Sequence, residues 1–117
     1  MTDFPTIPEW NPLELAKRLG TCVLVDVRRP DEFNGELSHI EGSQLVTLET
    51  DLERFLQSEH ERLKEETVVF ICRSGVRSMR AALQATQLGY KHPINLRGGM
   101  IGWNEAGLAT HKTGGNK

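Results

Sequence analysis

Two adjoining pieces decide the fold of this chain: Thr67-Val68-Val69-Phe70-Ile71 and, directly after it, Cys72-Arg73-Ser74-Gly75-Val76-Arg77-Ser78. The first piece is a continuous apolar run rich in β-branched residues, which is typical of a strand covered on both faces of a parallel sheet. From Ser78 onward, apolar residues recur at helical spacing, and Gly89 is a natural C-terminal cap. The sequence therefore predicts a buried strand, a short polar loop and an amphipathic helix in direct succession.

Strand and helix patterns alternate along the rest of the chain. Asn11 followed by Pro12 predicts a helix N-cap with proline at the first helical position, and Gly20 predicts the end of that helix. The other predicted elements are, in order, a strand at 23–27, a helical turn at Glu32 and Phe33, a brief strand at 44–46, a helix carrying Leu48, Leu52, Phe55 and Leu56, a short strand at 94–96 and a helical turn around Trp103. This alternation predicts an α/β domain with a mostly parallel sheet. Ligands gather at the carboxyl ends of such strands, where Cys72 is expected to lie.

Length and composition restrict the classes of protein. The 117 residues fit a single domain covering 1–117, with a core at about 6–108 and a loose polar tail at 110–117. The net charge of −2, with both signs interspersed, argues against a nucleic-acid partner. No apolar run approaches the roughly 20 residues that span a membrane. The first ten residues lack a basic region followed by an apolar one. We therefore expect a cytoplasmic protein without a membrane partner.

The two cysteines stand in different surroundings. Cys22 opens an apolar run, where a small buried thiol is the ordinary interpretation, whereas Cys72 ends a strand and begins a loop. A disulfide is the less favoured state in a cytoplasmic protein. No paired Cys or His spacing of structural-metal type occurs, so no metal site is predicted.

The loop that follows Cys72 has the features of an anion site around a nucleophile. Its backbone N–H groups can converge, the next helix presents its positive end, and two arginines add charge. These influences favour the thiolate, which is the nucleophilic form. The residues predicted to bind substrate are Arg73, Ser74, Gly75, Val76, Arg77 and Ser78. The alternative is a packed cysteine at the end of a strand, with arginines that merely coat the surface.

Four motifs in a fixed order resemble those of rhodanese-like sulfurtransferases, the rhodanese homology domain family. Together they cover about residues 6–108. They are Asp26-Val27-Arg28 with Glu32-Phe33, then His39-Ile40-Glu41-Gly42-Ser43, then the Cys72 loop, and last Gly98-Gly99 with Trp103. The resemblance implies a rhodanese-like fold, with a five-stranded mostly parallel sheet flanked by helices on both faces.

The resemblance also implies a chemistry centred on Cys72. Its thiolate would attack the outer sulfur of a donor such as thiosulfate, expel sulfite and become a persulfide. Cyanide or a thiol would then remove the sulfur, giving ping-pong kinetics. The implied partners are a small sulfur-donor anion and a thiol, cyanide or sulfur-accepting protein as acceptor. No cofactor is implied.

Other residues of the motifs have two readings each. Asp26 and Arg28 either border the pocket or form a structural ion pair that fixes the loop after Val27. We expect Glu32 and His39 to be structural and Trp103 to anchor the core. Two-domain mammalian rhodaneses carry basic residues where this chain has Glu32 and Ser74. Arg77 is therefore the better candidate for holding thiosulfate.

Two rival functions follow from the same loop. A cysteine phosphatase would need a larger cradle, because tyrosine phosphatases place five residues between cysteine and arginine, whereas four separate Cys72 from Arg77. A catalytically silent binding or regulatory module would typically lack the cysteine, which is present here.

Overall fold

The structure, a computed structural model, describes residues 6–112. The predicted polar tail lies outside the described residues from position 113 onward. Within residues 6–112, no helix is long and apolar enough to cross a membrane. The elements are β1 (Glu9–Trp10), α1 (Pro12–Ala16), β2 (Val23–Asp26), α2 (Pro30–Phe33), β3 (Gln44–Leu45), α3 (Leu52–Ser58), α4 (His60–Leu63), β4 (Thr67–Ile71), α5 (Val76–Gln87), β5 (His92–Leu96) and α6 (Gly99–Glu105).

The five strands form one sheet in the order β1-β5-β4-β2-β3, and each pair of neighbours is parallel. The apolar run at 67–71 is β4, the central strand, as predicted. The sequence patterns missed β1, which pairs Glu9 with Asn95 and Trp10 with Leu96 at the edge of the sheet. The predicted five-stranded α/β sheet is confirmed.

Alternate side chains of β4 enter two separate apolar cores. Val68 and Phe70 pack on the side covered by α3, α4 and α5. Val69 and Ile71 pack on the other side, with residues of α1 and α6. Both faces of the central strand are thus buried, which explains why its sequence is apolar throughout. The predicted arrangement of helices on both faces is confirmed.

The N-cap of α1 lies where the sequence indicated, whereas the end of α1 and the start of α5 are shifted. The Asn11 side chain accepts from the N–H of Glu14 at 2.8 Å, and the Glu14 carboxylate accepts from the N–H of Asn11 at 2.8 Å, which completes a capping box. Helix α1 ends at Ala16, earlier than predicted, and leaves Leu19 exposed. Helix α5 begins at Val76 rather than at Ser78. The shift brings the first turn of α5 into the cysteine loop.

Candidate active site

Cys72 directly follows β4 at the carboxyl edge of the sheet, as the sequence predicts. Its side chain is 1% exposed. The N–H of Gly75 donates to Cys72 Sγ at 3.0 Å. Gly75 precedes α5 with φ of +104°, a conformation that L side chains rarely adopt. The loop therefore aims a backbone donor and the N-terminus of a twelve-residue helix at one sulfur atom.

The other predicted binding residues differ in their placement. Arg73 and Ser74 are exposed, and Val76 is exposed as well, so its contribution to the loop is that of its backbone. Arg73 lines a cavity of about 190 Å³ beside the loop, together with residues of α2 and its C-terminal end. Ser78 is buried in the first turn of α5. Of the predicted set, Gly75 and Ser78 contact the sulfur directly.

A buried polar network connects Cys72 to the edge of the sheet. Ser78 Oγ lies 3.3 Å from Cys72 Sγ and also donates to Asn95 Oδ1 of β5. The Asn95 amide nitrogen donates to Glu9 Oε2 at 2.8 Å and to the Gly75 carbonyl at 3.1 Å. These two acceptors fix the orientation of the amide, so Asn95 Oδ1 faces Ser78. The network thus joins the loop to β5 and β1.

The sequence analysis did not single out Asn95 or Glu9. A signal for Asn95 existed, because a polar residue stands between Ile94 and Leu96 in a strand that is otherwise buried. Glu9 gave no such signal, since it belongs to a two-residue strand without a recognisable period.

Arg77 is held by a carboxylate across the site. Its Nη1 and Nη2 donate to the two oxygens of Glu32 at 2.8 and 2.9 Å, which joins α5 to α2. The bond from Arg77 lowers the pKa of Glu32 to about 2, and the same carboxylate raises the pKa of Arg77. The sequence analysis expected Arg77 to hold a substrate anion. The structure places this guanidinium in a two-point ion pair with the Glu32 carboxylate.

Asp26 and Arg28 form an ion pair that is shielded from solvent. Arg28 Nε and Nη2 donate to the Asp26 carboxylate at 2.9 and 2.8 Å, and both side chains are at most 1% exposed. Arg28 also donates to the carbonyls of Glu32 and Ser38, at 3.1 and 2.7 Å. This arrangement favours the structural interpretation of the pair, because the donors of Arg28 bind the Asp26 carboxylate and the backbone carbonyls of Glu32 and Ser38.

The Gly98-Gly99 motif lies against the back of the cysteine loop. The N–H of Met100 donates to the Cys72 carbonyl at 2.8 Å, and that of Ile101 to the Arg73 carbonyl at 3.0 Å. A Cβ atom at Gly99 would lie 2.5 Å from the backbone of both acceptor residues. Only glycine therefore allows α6 to approach the loop this closely.

Two further motif residues are packed as expected. His39 is 3% exposed, its ring stacks on Phe33 at 3.6 Å, and its Nδ1 lies 2.9 Å from the Phe33 carbonyl. Trp103 is 1% exposed and donates from Nε1 to the Ala109 carbonyl at 2.9 Å. Both residues therefore stabilise the segments around the site and do not line it.

The remaining cysteine is less buried than the sequence indicated. Cys22 is half-buried rather than buried, and its thiol donates to the Arg18 carbonyl at 3.6 Å. This burial raises the pKa of Cys22. His60 is half-buried, and its ring lies edge-on to Tyr90. Among residues 6–112, no group of three or more potential metal ligands is found together.

These features define a class of α/β domain in which one cysteine, at the carboxyl end of the central strand, lies at the N-terminus of a helix. The family model of the rhodanese-like domain matches residues 11–106 of the sequence. The chain therefore belongs to that family.

Similar proteins include sulfurtransferases and uncharacterised relatives. A sulfurtransferase of Allochromatium vinosum is 36% identical, and the match covers 80% of this chain and 85% of that one. An uncharacterised protein of Synechocystis sp. is also 36% identical, with 86% of this chain and 53% of the relative covered. A solved structure from Rhodopseudomonas palustris, described as a protein of unknown function and possible tyrosine phosphatase, is 28% identical. It has a TM-score of 0.76, and the match covers 90% of this chain and 85% of that one.

Proposed function

We propose that this chain is a sulfurtransferase that carries a sulfane sulfur on Cys72 as a persulfide. The observation that supports the proposal most is the placement of Cys72 Sγ, which receives the Gly75 N–H at the N-terminus of α5. Such donors stabilise negative charge on sulfur, both on the thiolate and on the outer atom of a persulfide. The family and its sulfurtransferase-named members point to the same chemistry.

The proposed reaction has two half-reactions on one sulfur atom. With thiosulfate, the Cys72 thiolate attacks the outer sulfur, a new S–S bond forms, and sulfite leaves with the electron pair of the broken bond. A thiolate or cyanide then attacks the outer sulfur of the persulfide and releases the Cys72 thiolate. Sulfur is transferred without net oxidation or reduction, so the residues of the loop need to bind and orient sulfur anions only.

Intact-protein mass spectrometry tests this proposal. Incubation with a sulfur donor should add the mass of one sulfur atom to the wild-type protein, and cyanide should remove it. Cys72→Ser should acquire none, whereas Cys22→Ser should acquire it as the wild type does, because Cys22 lies at the other end of β2 from Asp26. Sulfur found on Cys22, or turnover by Cys72→Ser at the wild-type rate, would end the proposal.

A phosphatase is the second candidate, suggested by the description of the Rhodopseudomonas palustris structure. Two features of this site argue against it. The loop has four residues between Cys72 and Arg77, and the Arg77 guanidinium already binds the Glu32 carboxylate in the way it would bind a phosphoryl group. Rapid hydrolysis of an aryl phosphate, with no persulfide formed, would favour the phosphatase.

The acceptor and the location stay predictions from the sequence. A thiol, cyanide or a sulfur-accepting protein would discharge the persulfide, and comparison of their rates would identify the acceptor class. Cell fractionation would test the expected cytoplasmic location.

A further inference from the structure

We propose that Glu32 determines the donor specificity of this site and selects alkyl persulfides, R–S–SH, over the thiosulfate dianion. The inference rests on the proposed function and names the donor class for the same cysteine. It follows from the ion pair that closes on Arg77 and from the distribution of charge around the loop.

The Glu32 carboxylate occupies the Nη1–Nη2 edge of the Arg77 guanidinium, which an oxyanion would need for the same two-point contact. Two parallel N–H···O bonds, at 2.8 and 2.9 Å, join the groups in the fork-to-fork geometry with which arginine also binds sulfonates and phosphates. The two side chains are 24% and 15% exposed for Arg77 and Glu32, so they are only partly screened by solvent. An incoming dianion must displace the carboxylate before it can take this two-point contact with Nη1 and Nη2.

The position of the Glu32 carboxylate is itself fixed. Its Oε1 accepts the backbone N–H of Arg29 at 3.1 Å in the first turn of α2. Its pKa of about 2 leaves the carboxylate ionised throughout the pH range in which sulfur transfer is assayed. The negative charge beside Arg77 is therefore permanent in working conditions.

Other arginines near the loop are also matched by acidic groups. Arg29 pairs with Asp31 at 3.1 Å, and Arg97 pairs with Glu9 at 3.3 Å. Arg73 lines a cavity that is also lined by α2 and by the segment that follows it, and both carry acidic residues. The carboxylates of that cavity are Asp31, Glu32 and Glu36. The thiosulfate dianion thus meets a surface on which carboxylates lie beside the arginines.

An alkyl persulfide has no oxyanion group on its sulfur atoms and does not need to bind the Arg77 guanidinium. The Cys72 thiolate attacks the terminal sulfur of R–S–SH, and a bond forms between Sγ and that sulfur while the original S–S bond breaks. The leaving thiolate keeps the electron pair and takes the proton of the terminal sulfur, giving R–SH and the Cys72 persulfide anion. Only the transferred sulfur needs the Gly75 N–H and the N-terminus of α5. The rest of the donor stays outside the loop.

Single-turnover loading of Cys72 tests the inference. The second-order rate constant of sulfur loading is measured by quench and intact mass, with thiosulfate and with glutathione persulfide as donors. The wild type should load faster from the persulfide. In Glu32→Gln, which keeps an oxygen for the Arg29 N–H, the ratio of the thiosulfate to the persulfide rate constant should rise about tenfold because the guanidinium is released. Glu32→Ala should shift the ratio in the same direction.

Asp31→Asn is the matched control, because Asp31 is the neighbouring carboxylate of α2 and pairs with Arg29 rather than with Arg77. Its ratio should rise clearly less than that of Glu32→Gln, because the variant leaves Arg77 paired with Glu32. An unchanged ratio in Glu32→Gln, or an equal rise in Asp31→Asn, would overturn the inference, provided that circular dichroism shows both variants folded. Absence of sulfur on wild-type Cys72 with either donor would instead refute the proposed function itself.

Discussion

Ser78 has a single hydroxyl hydrogen and two acceptors within reach. One acceptor is Cys72 Sγ, and the other is Asn95 Oδ1. Asn95 is held by Glu9 and by the Gly75 carbonyl, so its amide has no freedom to turn and offer a donor instead. When Cys72 carries a negative charge, the Ser78 hydroxyl forms its stronger hydrogen bond with the sulfur, because hydrogen bonds to charged groups are stronger than those to neutral groups. Ser78 is thus placed to respond to the charge of the Cys72 sulfur.

Ser78→Ala should slow the loading of sulfur onto Cys72. The variant removes a donor to the anionic sulfur, and a loss of about tenfold or more corresponds to the ~1.5–3 kcal/mol typical of such bonds. It also leaves Asn95 Oδ1 buried without its donor, which should lower the free energy of unfolding by about 1–3 kcal/mol. Single-turnover mass spectrometry and urea denaturation measure the two effects. Ser58→Ala, on the exposed side of α3, serves as the control. A stability loss with unchanged loading would show that Ser78 is only structural.

At the scale of elements, α6 acts as the support of the cysteine loop. Its first N–H groups, which have no partners within a helix, bind the carbonyls of Cys72 and Arg73. Gly99, with φ of +57°, allows this contact because any Cβ there would enter the loop backbone. The far end of α6 is anchored by Trp103 in the core opposite the α5 side. The glycine pair thus allows the first turn of α6 to bind the cysteine loop, and the tryptophan holds the same helix in the core.

Gly99→Ala should displace the loop and impair sulfur loading. The nearest contacts, at 2.5 Å, are backbone atoms, which yield less readily than a flexible side chain, and overpacking of this kind costs about 1–3 kcal/mol. Gly107→Ala is the matched control, since Gly107 also has positive φ, of +76°, but has open space around its Cβ position. Both variants should lose stability, and Gly99→Ala alone should lose loading rate. Equal loading rates in the two variants would contradict the support role of α6.

The sequence predicted those elements whose patterns are long or strongly marked. Strand β4 was placed to the residue because four successive apolar residues follow Thr67, and such a run is typical of a strand buried on both faces. Strand β1 escaped prediction because two residues carry no period, and its position depends on pairing with β5. Helix α4 was also missed, because its four residues are too few to show a helical period.

The same limit applies to the site. The cysteine loop is contiguous, so local chemistry identified Cys72 and Gly75. The partners from elsewhere were hidden, because Glu32 and Arg77 are 45 positions apart and Glu9 and Asn95 are 86 apart. Sequence patterns report which residues are buried or charged, and only the fold decides which of them meet. The pairing of Arg77 with Glu32 could not be predicted for this reason.

At the scale of the molecule, polar contacts concentrate at the carboxyl edge of the sheet, while both of its faces are apolar. The Asp26–Arg28 pair, the Glu32–Arg77 pair and the Asn95 network all lie there. They join α2, α5 and three strands that are distant in sequence. The stability of this edge should therefore depend on charge, and the stability of the two cores should not. This distinction makes pH a suitable probe of the edge.

Glu32 should give the protein a measurable dependence of stability on pH. Its pKa in the folded state is about 2, below the ordinary value of 4.5, so the carboxylate binds its proton less readily when folded than when unfolded. The stabilisation is therefore fully present above pH ~4.5 and is lost as the pH falls through the folded-state pKa. Solvent screens a partly exposed pair, so we expect about 1–2 kcal/mol at neutral pH rather than the full value of the shift.

Urea denaturation of wild type and Glu32→Gln at a series of pH values tests this expectation. The wild type should be the more stable at pH 7, and the difference should shrink between pH ~4.5 and ~2 as the carboxylate becomes protonated and resembles the amide. Glu53→Gln, which replaces an exposed carboxylate of α3, should show no comparable trend. A difference that stays constant down to the lowest measurable pH would mean that the Glu32 side chain stabilises the edge by packing and not by its charge. Arg77 would then be available to an oxyanion at little cost, and thiosulfate would compete with persulfides on equal terms.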